Sequence, residues 1–272
     1  MTGLRLSLVE QPKFSLDLSS ILPDTIGGKS LDAVRRTSLA QGRRKILLGD
    51  LFEVAKISED TLEFHGVTKE LSRIGSGMTQ GVIRIVGNPG DEIGAFMTGG
   101  EIHLHGNAGD YLGSGMRGGI IHVSGSSGDF TAGALPHTSL GMRDGIICIG
   151  KSVGMRAGER MRRGLLVANG NAGPYCGSNM IAGTIVVTGC TGPGIGFGMS
   201  RGTILLKREP PQMLVTFNDC GTFQLTFPTL LLSQLRRINR TAFRRLRSIK
   251  RFRRLTGDIA CGGQGELLVA DQ

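Results

Sequence analysis

The sequence predicts an all-β chain, a right-handed parallel β-helix of about seven 19-residue coils, flanked by a non-repeat N-terminal region and a basic C-terminal helix. Three observations carry this: a methionine recurs at a fixed period, a glycine follows each methionine, and an alternating apolar pair follows each glycine. Met78, Met97, Met116, Met142, Met161, Met180 and Met199 are 19, 19, 26, 19, 19 and 19 residues apart. Three residues after each stands Gly81, Gly100, Gly119, Gly145, Gly164, Gly183 or Gly202. A fixed period decides an architecture before any local pattern does.

Five residues after each methionine the chain places Ile83, Ile102, Ile121, Ile147, Leu166, Ile185 and Ile204. Two further on come Ile85, Leu104, Val123, Ile149, Ala168, Val187 and Leu206. Spacing by two puts both columns on one face of a short strand. One such strand cannot bury its face alone. Identical units stacked in parallel at roughly 4.8 Å can, and seven of them give a rod about 34 Å long. Glycine corners between the strands supply the positive φ that turns need. Parallel crossovers are overwhelmingly right-handed, which sets the predicted winding. The leucine-rich consensus is absent, and 19 contains no six-residue subperiod.

The extra seven residues before Met142 read as a corner insertion near 134–140, within a repeat domain spanning 59–209. Leu62, Phe64 and Gly66 echo Ile83, Ile85 and Gly87 at a looser spacing of 21, as an atypical first coil would. Residues 1–58 form a non-repeat region in which Leu31 to Arg43 suggests a short helix. Pro210 and Pro211 stop the coils, opening a C-terminal region over 210–272. There Met213 to Phe227 alternates as strands do. Leu230, Leu231, Leu235, Ile238, Phe243, Leu246, Ile249 and Phe252 then recur at helical spacing, predicting a bent or broken amphipathic helix.

Charge is concentrated in that helix. Of the +10 formal charge, all is accounted for by Arg236, Arg237, Arg240, Arg244, Arg245, Arg247, Lys250, Arg251, Arg253 and Arg254, a stretch without one acidic residue. These ten are the candidate contact residues for a protein partner or polyanion. Nucleic acid is the weaker reading, because the stretch has neither aromatic interleaving nor a DNA-reading motif. No run approaches the ~20 apolar residues of a membrane span. The five cysteines, Cys148, Cys176, Cys190, Cys220 and Cys261, are odd in number, widely spaced and read as reduced, mostly buried thiols of a cytoplasmic protein.

No catalytic or metal site emerges. Gly113 to Gly118 satisfies G-x-G-x-x-G but lies inside the repeat with no helix to follow it. His103 and His122 share an outward position on adjacent coils below Arg84, with Glu101 nearby and no third ligand evident. Cys148 falls in the same column with nothing to activate it. Asp91, Asp110 and Asp129 form a carboxylate column at the start of one strand, the one feature that suits a stand-alone β-helix enzyme. On the later coils the outward positions turn apolar (Ile146, Cys148, Leu165, Val167, Val186, Leu205), which predicts a covered wall.

The register Gly-x-Gly-Met-x-x-Gly-x-Ile-x-Ile-x-Gly-x-x-Gly, as in Gly75 to Gly90, resembles the glycine-rich repeat of the C subunit of formylmethanofuran dehydrogenase. It is the same module as the C-terminal domain of the glutamate synthase large chain. The closing stretch Arg253-Arg254-Leu255-Thr256-Gly257-Asp258, then Gly262-Gly263-Gln264-Gly265-Glu266, also resembles the end of that formylmethanofuran dehydrogenase chain. The resemblance implies a non-catalytic structural subunit of a cytoplasmic one-carbon complex. That complex handles formyl groups on methanofuran-like and tetrahydromethanopterin cofactors, producing or using formate or CO2. It implies a dehydrogenase version and a bacterial formyltransferase/hydrolase version, the latter preferred. Partners would be amidohydrolase-like, formyltransferase and molybdopterin-subunit-like chains, which hold the metal and the chemistry. No family catalytic residue carries over to this chain. The often glutamylated, acidic tail of the methanofuran-type cofactor would suit the arginine stretch.

Overall fold

The computed structural model describes residues 3–41 and 44–271. The chain is mostly β, with few helices, and one thirteen-stranded mixed sheet runs its full length. The 19-residue period is the reason the sheet is parallel: each unit contributes one strand, and the next unit returns in the same direction. Ile83 pairs with Ile102, Ile102 with Ile121, Ile121 with Ile147, and so on through Leu166, Ile185 and Ile204. A second, thinner line of parallel bridges links Ala108, Ser127, Val153, Ala172 and Thr191. Between these lines the backbone turns through left-handed corners.

All seven register methionines are fully buried, and burying each contributes about 1.5–3 kcal/mol. Their partners explain the glycines that follow them. A Cβ on Gly100 would lie 2.5 Å from Met78 Cε, and the same clash recurs at 2.6 Å between Gly119 and Met97 and at 2.7 Å between Gly164 and Met142. Each methionine therefore fills the space left open by the glycine of the next unit. A second set works alike: Gly94, Gly113, Gly158 and Gly177 leave room for the δ-methyls of Ile121, Ile147, Ile185 and Ile204.

The ladder continues past the repeat at both ends. The strand Gly3–Leu8 adds in parallel to Leu62–Val67, and Phe52–Ile57 closes that edge antiparallel. Leu62 and Phe64 pair with Ile83 and Ile85 as their spacing predicts, but a bulge puts Val67, not Gly66, opposite Gly87. At the other end Gly265–Ala270 returns after a long excursion to pair in parallel with Thr203–Leu206, so that Leu267 and Val269 extend the inward columns. Its motif, Gly265-Glu266-Leu267-Leu268-Val269, reads like Gly202-Thr203-Ile204-Leu205-Leu206; the broken spacing hid it. Phe252–Gly257 and Asn218–Phe223 finish this edge antiparallel.

Two local expectations need correction. The helix expected over Leu31 to Arg43 is only Leu31–Arg35, capped by Ser30, and a hairpin of Ser38–Gln41 with Arg44–Leu47 follows; Arg43 lies outside the described residues. Strand alternation over Met213 to Phe227 survives only as Asn218–Phe223, and Phe227 already belongs to the next helix. The insertion falls where the longer spacing predicts: Ala132 and Met142 stay hydrogen-bonded to one another while the residues between leave the ladder.

The amphipathic helix is broken into Thr226–Ile238 and Arg240–Leu246, with Asn239 at the break capping the second half through Ala242 N–H. Its buried residues Leu231, Leu235, Ala242 and Leu246 form a cluster with Leu165, Val167, Val186, Leu205 and Leu268. The apolar outer wall is covered. Leu230, assigned by spacing to the same face, is instead 63% exposed, Ile249 lies in a turn and Phe252 in a strand.

Candidate functional site

The outer face of the main sheet is graded along its length. One continuous column reads Glu63, Arg84, His103, His122, Cys148, Val167, Val186, Leu205, Leu268. Its polar half carries Arg84 paired with Glu59 and Glu63, and Arg5 with Glu63 at 2.8 Å. Its apolar half lies under the C-terminal helices. The histidines stand at the junction. The His103 and His122 rings stack with centroids 5.3 Å apart, and His103 Nε2 meets Glu101 Oε2 at 3.2 Å. Burial, and then the neighbouring His103, hold the His122 imidazole below its ordinary pKa, so it stays neutral. Burial pushes the Cys148 thiol up to about 11, which makes it a poor nucleophile at neutral pH. Among the described residues no group of three His, Cys, Asp or Glu converges as metal ligands would.

The carboxylate column has a structural use. Asp91 Oδ1 accepts from Asp110 N–H at 2.9 Å, Asp110 Oδ1 from Asp129 N–H at 2.7 Å, and Asp129 Oδ1 from Met155 N–H at 2.8 Å. These residues lie in turns, not at a strand start as the spacing suggested. Asn88, Asn107 and Asn171 form a similar ladder to backbone N–H groups one unit on. A paired acid and base for hydrolysis needs carboxyls aimed at a substrate; these are committed to backbone amides. Gly113 to Gly118 is likewise a corner of the stack, with Gly113 and Gly115 at positive φ and no helix beyond them.

The ten cations of the basic stretch separate into three groups. Arg251, Arg253 and Arg254 are paired within the chain, with Asp271, with Glu209 and Asp219, and with Glu266. Arg245 donates to the Asn169 carbonyl and, at 2.8 Å, to Thr188 Oγ1, tying the second helix to the wall. Arg236, Arg237, Arg240, Arg244, Arg247 and Lys250 are exposed on the outer surface of the helices and the turn after them. Of the five cysteines only Cys148 and Cys176 are buried; Cys190, Cys220 and Cys261 are exposed, contrary to the expectation of mostly buried thiols.

What spacing did not disclose is an aromatic line on another corner. Tyr111 and Phe130 stack at 4.9 Å, Arg156 lies over Phe130 and Tyr175, and Tyr175 meets Phe197 edge-on at 6.1 Å. The signal was present as a 19-residue column, Tyr111, Phe130, Arg156, Tyr175, that crosses the insertion.

The GXGXG motif family matches residues 65–220, more than half the chain and the same stretch that builds the stacked units. The chain belongs to the GXGXG family. The C subunit of the tungsten-containing formylmethanofuran dehydrogenase 2 of Methanothermobacter thermautotrophicus is 34% identical over 93 residues, covering 32% of this chain and 34% of that protein. The C subunit of the formyltransferase/hydrolase complex Fhc of Methylorubrum extorquens is 37% identical over 78 residues, 29% of each. These alignments span about a third of the curated relatives' length. The crystal structure of the formyltransferase/hydrolase complex FhcABCD of Methylorubrum extorquens with methylofuran contains a chain 35% identical to this GXGXG protein. The TM-score is 0.89, covering 98% of this chain and all of that one. No helix among the described residues is long and apolar enough to cross a membrane.

Proposed function

We propose that this chain is a non-catalytic structural subunit of a cytoplasmic one-carbon complex, the counterpart of the C subunit in formyltransferase/hydrolase assemblies. The observation that carries the reading is the likeness over 98% of the chain to a component of the FhcABCD complex. The ladder winds as a right-handed parallel β-helix over 59–209, a rigid rod on which other chains sit, with 1–58 closing one end and 210–272 the other. Formyl transfer between methanofuran-like and tetrahydromethanopterin cofactors, and release of formate, belong to the companion chains. The full-length likeness favours the formyltransferase/hydrolase version over the dehydrogenase. The polar residues of this chain support a structural role, since its carboxylates serve backbone amides and its cysteine nearest the histidines is buried.

The exposed cations Arg236, Arg237, Arg240, Arg244, Arg247 and Lys250 serve as contact to an acidic partner surface or an acidic cofactor tail. Arg245, Arg251, Arg253 and Arg254 hold the fold beneath them. The test is coexpression with the companion chains of an FhcABCD-type complex, followed by co-purification and a formyl-transfer assay. The assembled complex should be active and the isolated chain inert; activity in the isolated chain overturns the non-catalytic reading. Replacing Arg240, Arg244 and Arg247 by Glu should weaken assembly or cofactor retention and flatten its salt dependence. Unchanged assembly and retention would count against the basic face.

A further inference from the structure

The aromatic line on the second corner sits in a backbone conformation that its side chains do not favour. Tyr111, Phe130, Arg156 and Tyr175 all have φ between +54° and +59°, and Gly194 occupies the next equivalent place at +76°. The conformation is imposed by the stack: the N–H of each donates to the carbonyl one unit on, Tyr111 to Asp129, Phe130 to Met155, Arg156 to Pro174 and Tyr175 to Pro193. Glycine meets that demand without strain, as Gly194 does. A side chain there costs roughly 1–2 kcal/mol. Four successive units nonetheless carry two tyrosines, a phenylalanine and an arginine, and such strain concentrates where binding or switching compensates for it.

The side chains make one continuous surface. With Phe197 the line crosses five units, about 19 Å at 4.8 Å per unit. Tyr175 is 41% and Phe197 50% exposed. Arg156 is neutralised by Glu159 at 3.1 Å, so the line presents rings and a paired guanidinium without net charge. Beside it opens a cleft of 420 Å³ lined by Tyr175, Ser178, Asn179, Phe197, Gln212 and Leu214. Ser178 is 2% exposed, and its hydroxyl has no hydrogen-bond partner. A buried hydroxyl left unmade costs about 1–3 kcal/mol. The cleft therefore lacks a polar neutral group.

We propose that Tyr111, Phe130, Arg156, Tyr175 and Phe197 form the docking surface for a companion protein of the complex, which lays an uncharged loop along the rings and gives a backbone carbonyl to Ser178. This rests on the subunit reading above. Charge selects the occupant: the basic helices face elsewhere and suit anions, whereas this corner is neutral and excludes a strongly charged segment. Tyrosine and arginine in a desolvated cluster are the residues that carry most of the energy at protein interfaces.

The test coexpresses the full chain with the companion chains and measures assembly by mass and affinity. Tyr175→Gly with Phe197→Ser removes both rings while leaving the backbone as Gly194 shows it can be. The double variant should keep its melting temperature and lose about thirtyfold or more in assembly affinity, the size expected of a hot spot. Tyr175→Phe, which keeps the ring, should assemble normally. A photo-crosslinking amino acid at position 197 should capture a companion chain. If wild type assembles and the double variant does so equally well, or if the crosslink joins two copies of this chain, the docking surface is wrong and the subunit reading stands. If wild type fails to assemble with any companion chain, both fall.

Discussion

Replacing Leu235 by Ala should loosen the helical cover without dissolving the rod. Leu235 is fully buried, and the cluster it belongs to is distinct from the inner core that holds the methionines. Truncating a buried leucine costs about 2–5 kcal/mol. Because the cover is its own cluster, that cost falls mainly on the local equilibrium in which the helices lift from the wall. Cys148 gauges it. The thiol is 4% exposed, sits 4.0 Å from the Ile238 carbonyl at the helix break, and is held protonated near pH 7 by burial. It reacts with an alkylating agent only when the cover opens. With Cys190, Cys220 and Cys261 changed to Ser, the Cys148 alkylation rate should rise at least about thirtyfold in Leu235→Ala, a tenfold step for each 1.4 kcal/mol. A rate that rises only in proportion to global unfolding would refute the reasoning, because the helix would then be part of the same cooperative unit as the rod.

Three further outcomes follow from the stack. Met161→Asp puts a charge where the side chain is wholly enclosed and should leave no cooperative thermal transition. Gly164→Ala forces a Cβ to within 2.7 Å of Met142 Cε at φ +92°, and denaturant titration should show a loss of about 2–5 kcal/mol; a neutral result would mean that the methionine moves freely. For His122, whose folded pKa lies below its unfolded one, stability is fully present above the unfolded value of ~6.5 and falls as pH drops through it toward the folded value. His122→Gln should flatten that part of the stability curve, and an unaltered slope there would assign it to other groups.

The parallel ladder was legible because Met, Gly and Ile repeat in one register, and packing between identical units rewards identical residues. The covered wall was legible too, from outward positions at Leu165, Val167, Val186 and Leu205 that no solvated strand would carry. The strand Gly265–Ala270 was not, because 63 residues separate Glu266 from its partner Thr203, and the stack constrains space and not chain distance. Nor was the fate of the basic stretch. Ten cations without an acid look like one surface, yet Arg253 and Arg254 find Asp219 and Glu266 from other strands. The aspartate column misled for a related reason: spacing put the carboxylates in line, but only the turn geometry aims each one at the next unit's N–H.

Methionine filling the next unit's glycine gives the stack a head and a tail. Each unit offers a plug on one side and a socket on the other, a heterologous contact that does not close on itself. Such contacts extend into fibres when their ends are free. Here they are not. The first socket, at Gly81, is filled by Pro23, whose Cβ would be 2.8 Å from an added Cβ there, and the last plug, Met199, is received by Gly265. The two flanking regions thus do more than complete the sheet, because without them the same interlock that rigidifies one molecule would join it to the next.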